Sequence, residues 1–324
     1  MKIAFTLCSN NYLAQAKTLG DSFLDYNCDC RFVIGLVDEL HPSIDYNQFS
    51  RFDLVVYSTL GCEYFQEMES KYDIVEFNTA VKPFYFKYLF QVYPGSDVFY
   101  IDPDIQVFDD FTELYQILDA GNDFILTPHL VVAQKEQSSF ERLILQVGTF
   151  NLGFIGLRDG DKAKMFLEWW SLRLVNDCKI DFCNGLFVDQ KWVNFLPALF
   201  DEVFILRHPG YNVGYWNFDE RTVTTHDGKY YVNGKSLCFF HFSSYNPLKP
   251  EVLCRHLTYS FEQRSDLVSL YESYSKLLLT NRYTFYSSLN PLLKLRQNQQ
   301  VEQKPVSGLS RLRKKIRRFL AGVF

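Results

Sequence analysis

The feature that most constrains the fold is an alternation, through the first half of the chain, between short apolar runs and longer stretches with helical periodicity. Residues 2–7 form an apolar run that stops at Ser9-Asn10-Asn11, after which Leu13, Ala16, Leu19, Phe23 and Leu24 recur at helical spacing. Residues 31–37 and 53–57 read as buried strands, 84–93 as a helix closed by Pro94-Gly95, and Asp97–Ile101 and 123–127 as two more buried strands. Continuous apolar runs, rather than strict alternation, belong to strands covered on both faces. Strand–helix–strand units close as right-handed crossovers between parallel strands. The expected architecture is α/β: a mostly parallel central sheet with helices on both faces, plus C-terminal helices.

The second half is less regular. Residues 154–157 are strand-like, and 163–175 read as a helix with Phe166, Trp169, Trp170 and Leu174 turned inward. A short helix is expected at 189–199, and apolar runs of strand length at 203–206 and 237–242. Between these runs, Tyr230-Tyr231-Val232 meets Asn233-Gly234, a strong hairpin signal. Asp110-Phe111-Thr112-Glu113 has the pattern of a capping box opening the helix that contains Leu114 and Ile117. Residues 261–279 read as helical and polar enough for the surface.

From residue 297 the composition changes, and 297–308 read as a linker. Beyond it, Leu309, Leu312, Ile316, Phe319, Leu320 and Val323 fall on one face of a helix. Arg311, Arg313, Lys314, Lys315, Arg317 and Arg318 fall on the other. Such segregation predicts a helix lying on an anionic membrane surface; docking onto an acidic body is the alternative. The formal charge of −5 becomes −11 without those six cations, so the body is acidic. A nucleic-acid-binding body would be basic, and that class of partner is excluded. Eight cysteines form no CxxC pair, and a chain of 324 residues needs no disulfides for stability. The N-terminal apolar run is too short for a signal-peptide core, and no run has the length of a membrane span. The expected address is cytoplasmic, peripheral on the inner face of the membrane.

Chemistry concentrates at Asp102-Pro103-Asp104, which directly follows the apolar strand Asp97–Ile101. In an open α/β sheet ligands bind beyond the carboxyl ends of the strands, where this pair falls. Two carboxylates flanking a proline can converge on one hard divalent cation, which bridges phosphates and neutralises a departing diphosphate. A solvated acidic turn is the plainer alternative. His241 ends an apolar run and opens the polar loop Ser243-Ser244-Tyr245-Asn246-Pro247, so a neutral imidazole there could complete the cation's shell, with Lys249 nearby as a point charge.

Taken together, Tyr100-Ile-Asp-Pro-Asp-Ile105, Phe150-Asn-Leu-Gly-Phe154, Val188-Asp-Gln-Lys-Trp-Val193 and Phe240-His-Phe242 occur in the order found in GT-A glycosyltransferases. The chain resembles the family 8 type of bacterial surface-polysaccharide synthesis over residues 1–255. The resemblance implies a Rossmann-like GT-A domain over 1–255, donor side mainly 1–130 and acceptor side mainly 150–255, with a helical extension at 256–296. It implies that Leu7, Cys8 and Ser9 begin the loop receiving the nucleotide base, with Asn11 and Tyr12 nearby, and that Lys82 contacts the nucleotide or a donor phosphate. Asp102, Asp104 and His241 would bind Mn2+ or Mg2+. Asn151 and Gly153 would line the sugar pocket, and Asp189 and Gln190 would lie close to the anomeric carbon. The implied donor is a UDP-sugar, the acceptor a glycan or lipid-linked glycan, and the outcome retention. For Asp189 a helix N-cap, and for Gly153 a close-packing site, are the structural alternatives.

Two departures stand out. The family's His-x-x-Gly-x-x-Lys-Pro-Trp element appears as His241 to Glu251 with two extra residues, Ser244 where glycine is expected and no tryptophan, which weakens Lys249 as a phosphate ligand. Gly210-Tyr-Asn-Val-Gly-Tyr-Trp216 lies outside the usual pattern, as an acceptor-binding or loop-packing element. A sugar-phosphate nucleotidyltransferase is disfavoured because Leu7 to Tyr12 is neither glycine-rich nor basic. A catalytically silent glycan-binding or scaffold protein of the same fold is the rival from another class.

Overall fold

The computed structural model describes residues 1–133, 139–255 and 259–294; the proposed linker and basic amphipathic segment lie outside them. The apolar runs become the strands β1 (Lys2–Cys8), β2 (Arg31–Leu36), β3 (Asp53–Val56) and β4 (Asp97–Ile101). The short β5 (Ile105–Val107) follows the acidic turn, then β6 (Phe124–Pro128), β7 (Phe150–Arg158) and β8 (Val203–Ile205). Seven of them form one sheet in the order β8-β6-β7-β4-β1-β2-β3. All pairings are parallel except those of β7, which runs antiparallel to both β4 and β6. β1 is buried at every position after Lys2, as a strand covered on both faces should be, whereas β3 at the sheet edge is only half-buried.

Helices α1 (Leu13–Tyr26), α2 (Lys82–Val92), α3 (Thr112–Asp119), α4 (Ser139–Val147) and α5 (Asp161–Asp177) follow the strands. Phe166, Trp170 and Leu174 of α5 are buried as expected, while Trp169 is half-exposed beside Trp192 and Phe195. The Phe-rich composition goes mostly into the core: Phe99 packs on Phe111, Tyr115 and Phe154 with ring centroids 5.2–5.8 Å apart.

Three expectations are corrected. The Asp110–Glu113 pattern closes no capping box: Asp110 accepts the Thr112 N–H at 2.8 Å, and Glu113 is held instead by the Tyr211 hydroxyl at 2.9 Å. A capping box does close between Asp73 and Glu76, at the helix Ile74–Ala80. The Asn233-Gly234 hairpin forms, with both residues left-handed (φ 50° and 79°), but its second arm is only Lys235–Ser236, paired with Tyr231 and Val232. The following β9 (Phe239–His241) leaves to pair antiparallel with β5, because Phe239 and Phe240 belong in the core. Finally, the helix expected at 261–279 begins only at Val268: α6 (Val268–Thr280) keeps one face exposed, as expected, and buries Leu270, Tyr271, Tyr274 and Leu278 on the other. Tyr274 stacks on Phe242 at 3.8 Å and Tyr271 packs edge-on to Phe240 at 5.7 Å, so the C-terminal helices share the core of the sheet domain.

Candidate active site

The antiparallel course of β7 places its beginning at the same edge as the end of β4. Ile101 pairs with Phe154, and the Asp102 N–H donates to the Gly153 carbonyl at 2.8 Å. The turn then reverses into β5, whose partner β9 sets His241 opposite Ile105, and the Phe242 N–H donates to the Asp104 carbonyl at 2.9 Å. Two strand pairings thus bring Asp102, Asp104 and His241 together. One ligand atom from each lies within 4.8 Å of the others. His241 Nε2 is 2.9 Å from Asp104 Oδ1 and 3.7 Å from Asp102 Oδ2. Two carboxylates and an imidazole suit a hard or borderline divalent cation such as Mn2+ or Mg2+.

The electrostatics are those of a compressed charge cluster. Burial raises the pKa of Asp102, against the opposing pull of Lys82 and His241, and the Tyr100 hydroxyl donates to its Oδ1 at 2.5 Å. Burial pushes His241 down, but the neighbouring Asp104 and Asp102 outweigh it, and its pKa is raised. The imidazole sits over Gly153, where a Cβ would lie 2.6 Å from its Nδ1 and Cε1. Gly153 is therefore needed for close approach rather than for unusual backbone. Trp216 covers another side of the ring, edge-on at 5.0 Å.

A cleft of about 310 Å³ opens on this cluster. Lys82 reaches it from the first turn of α2, a place where the helix dipole disfavours a cation. Three contacts hold it: Asp189 Oδ2 at 2.5 Å, the Leu152 carbonyl at 3.2 Å and the face of Tyr100 at 3.9 Å. Asp189 heads a 3-10 turn without capping it; its carboxylate is spent on Lys82, and burial raises its pKa. Gln190 lines the same cleft, with its oxygen accepting the Leu152 N–H at 2.9 Å and its nitrogen donating to the Val147 carbonyl at 3.1 Å. Asn151 accepts the Gly153 N–H at 3.0 Å.

A second cleft, of about 290 Å³, lies against the other side of Asp104 and is lined by Asn11, Tyr12, Lys249, Arg255, Tyr274 and Tyr283 among others. The Tyr274 hydroxyl is buried there without a hydrogen-bond partner among the described residues. The side chains of Leu7, Cys8 and Ser9 are buried beneath the end of β1. The Ser9 hydroxyl donates to the Val37 carbonyl at 3.3 Å and accepts from Asn78 at 2.9 Å. None of Leu7, Cys8 and Ser9 is among the residues lining either cleft. Sequence reasoning did not single out Arg255, Tyr283 or His129. His129 was legible as the residue just beyond a strand's carboxyl end; the other two lie in the irregular segment and the C-terminal helices.

The sheet order, the acidic turn after β4 and clefts at the carboxyl ends of the strands make this a GT-A (nucleotide-diphospho-sugar transferase) fold. The galactosyltransferase LgtC, in complex with donor and acceptor sugar analogs, matches with a TM-score of 0.53 at 15% identity, covering 86% of this chain and 96% of that one. An active-site mutant of LgtC gives 0.54 at 14% identity with the same coverage. Among protein sequences, the uncharacterized protein YfnF of Bacillus subtilis (strain 168) is 26% identical over 277 residues, 84% of this chain and 90% of its own. YfnD of the same organism is 24% identical over 207 residues, 61% of this chain and 63% of its own. No family model matches the chain. At these identities the solved structures and this chain share a fold.

Proposed function

We propose that the protein is a metal-dependent glycosyltransferase that moves a sugar from a nucleotide-sugar donor, a UDP-sugar, to a glycan or lipid-linked glycan acceptor in bacterial surface-polysaccharide, capsule or lipopolysaccharide synthesis. The observation that carries the reading is the position of Asp102, Asp104 and His241 between two clefts. The second cleft suits a nucleoside diphosphate: Tyr12 and Tyr283 offer ring surface, Asn11 offers an amide, and Lys249 and Arg255 bring positive charge to meet phosphates. The first cleft suits the sugar, with Asn151 and the Lys82–Asp189 pair on its polar side and Phe140, Leu143 and Ile144 of α4 on its apolar side.

In this reading Asp102, Asp104 and His241 hold Mn2+ or Mg2+, which when bound neutralises charge on the leaving diphosphate. Lys249 and Arg255 add positive charge from the protein. Asp189 and Gln190 lie at the sugar end, near the anomeric carbon. Gln190 acts mainly by holding the main chain of β7 at Leu152, since both ends of its amide are already bonded. The acceptor hydroxyl approaches from the side of Tyr215 and Trp216, and resemblance to family 8 favours retention. Residues 1–255 supply the catalytic domain, 256–296 a helical extension, and 309–324 a basic helix on the inner face of the cytoplasmic membrane. Among the described residues no helix is long and apolar enough to cross a membrane.

The test is nucleotide release from UDP-, GDP- and CDP-sugars with Mn2+ or EDTA, beside calorimetric binding of the same panel and the variant Asp104→Asn. Release from one donor, lost with EDTA and in the variant, is expected. Failure of every donor to bind in the presence of metal would leave a silent scaffold of the same fold as the better reading.

A further inference from the structure

Asn212 belongs to the 210–216 stretch that lies outside the family pattern, and it is fully buried with a left-handed backbone (φ 49°). Asparagine tolerates that conformation better than most residues other than glycine. Its side chain is one link in a row of amides and imidazoles whose polarity is readable from one end. The Gly153 N–H, which can only donate, meets Asn151 Oδ1 at 3.0 Å. The group of Asn212 that lies 3.0 Å from this same oxygen must therefore be its nitrogen, whose other hydrogen goes to Thr127 Oγ1 at 2.8 Å. Asn212 Oδ1 is left facing His241 Nδ1 at 3.4 Å, and an amide oxygen can only accept. His241 therefore carries a hydrogen on Nδ1, and Nε2, which faces Asp104 and Asp102, is the nitrogen whose lone pair a cation would take in place of the proton it shares with Asp104. The row also runs the other way: Asn151 Nδ2 donates to His129 Nε2 at 3.2 Å, and His129 Nδ1–H donates to the Thr149 carbonyl at 3.3 Å.

We infer that Asn212 is the positioning residue for the cation: its amide oxygen selects the Nδ1–H tautomer of His241 and aims Nε2 at the Asp102–Asp104 pair. The inference rests on the metal-dependent reading above. The polarity is set not by Asn212 itself but by the Gly153 N–H on β7, through the shared oxygen of Asn151, so the row acts as one unit. Outer partners of this kind typically contribute 10–100-fold in metal affinity, because they fix both tautomer and ring orientation.

Two measurements on the full chain test it. Nitrogen-15 NMR of the magnesium-loaded wild type reads the tautomer of His241, and Nδ1–H with a metal-bound Nε2 is expected. Mn2+ titration followed by the EPR signal of the free ion compares wild type with Asn212→Gly, which accepts φ 49° without strain and removes the acceptor oxygen. A 10–100-fold weaker Mn2+ affinity is expected. An Nε2–H tautomer, or unchanged affinity in Asn212→Gly, would overturn the inference. Should that variant not fold, the NMR result on the wild type decides alone. Mn2+ binding as tight in Asp104→Asn as in wild type would instead sink the metal reading, a result distinct from either outcome at Asn212.

Discussion

Lys82 Nζ lies 2.5 Å from Asp189 Oδ2, and both side chains are only about 2% exposed. Two charges taken out of water are held by each other, so removing one leaves the other buried without its ion-pair partner, typically a loss of about 3–5 kcal/mol. Asp189→Asn is expected to lose about that much in urea unfolding. The apolar pair Lys82→Met/Asp189→Leu should recover most of the loss yet remain without turnover, since the stability of the pair and its use at the sugar end are separable. A double variant no more stable than Asp189→Asn would contradict this account.

Gly153→Ala places a methyl group 2.6 Å from the imidazole of His241 and 2.8 Å from Asn151 Oδ1. The backbone is not strained by the substitution, so the protein should fold with a loss of about 1–3 kcal/mol from overpacking. The imidazole must move, and Mn2+ affinity should fall at least about tenfold. Wild-type affinity in this variant, read by Mn2+ titration, would show that His241 is not a ligand.

Buried His129 is held neutral, with burial lowering its pKa from 6.5 to about 4. Well above pH 6.5 both folded and unfolded chains carry it neutral, and it contributes no pH dependence. As pH falls from 6.5 towards 4 the unfolded chain takes up a proton that the folded chain refuses, so stability declines, by on the order of 3 kcal/mol at full extent. His129→Gln should flatten that part of the stability–pH profile measured by urea unfolding. An equally steep profile in the variant would place the acid sensitivity elsewhere.

Metal should stabilise the fold as well as support turnover. At a Mn2+ concentration one hundred times its dissociation constant, the gain is about 2.7 kcal/mol. The wild-type thermal midpoint should therefore rise with Mn2+ and fall back with EDTA, whereas Asp104→Asn should respond to neither.

The basic segment offers a test independent of catalysis. Sedimentation with phosphatidylserine-containing vesicles should retain the full chain and lose it when residues 305–324 are deleted, with binding weakening as salt rises. Equal retention of both chains would remove the membrane from the proposal.

By itself the sequence determined the strands of the sheet, the helices α1, α2 and α5, and the acidic turn at the end of β4. Those features rest on apolar period, turn residues and strand length, all encoded within a few neighbouring positions. It also marked His241 and Asp189, through motifs that follow one another in a recognisable order along the chain. What only the tertiary structure decided is which group meets which. Asp110 and Glu113 have a capping spacing, yet Tyr211 claims Glu113 from far along the chain. Asn233-Gly234 specifies a turn, but whether the next apolar run completes the hairpin or crosses to β5 depends on where Phe239 and Phe240 can be buried. Lys82 finds Asp189, and Asn212 finds His241, through the register of separate strands and loops. Local propensity is written in adjacent residues, whereas a buried polar network exists only once distant donors and acceptors are brought together out of water.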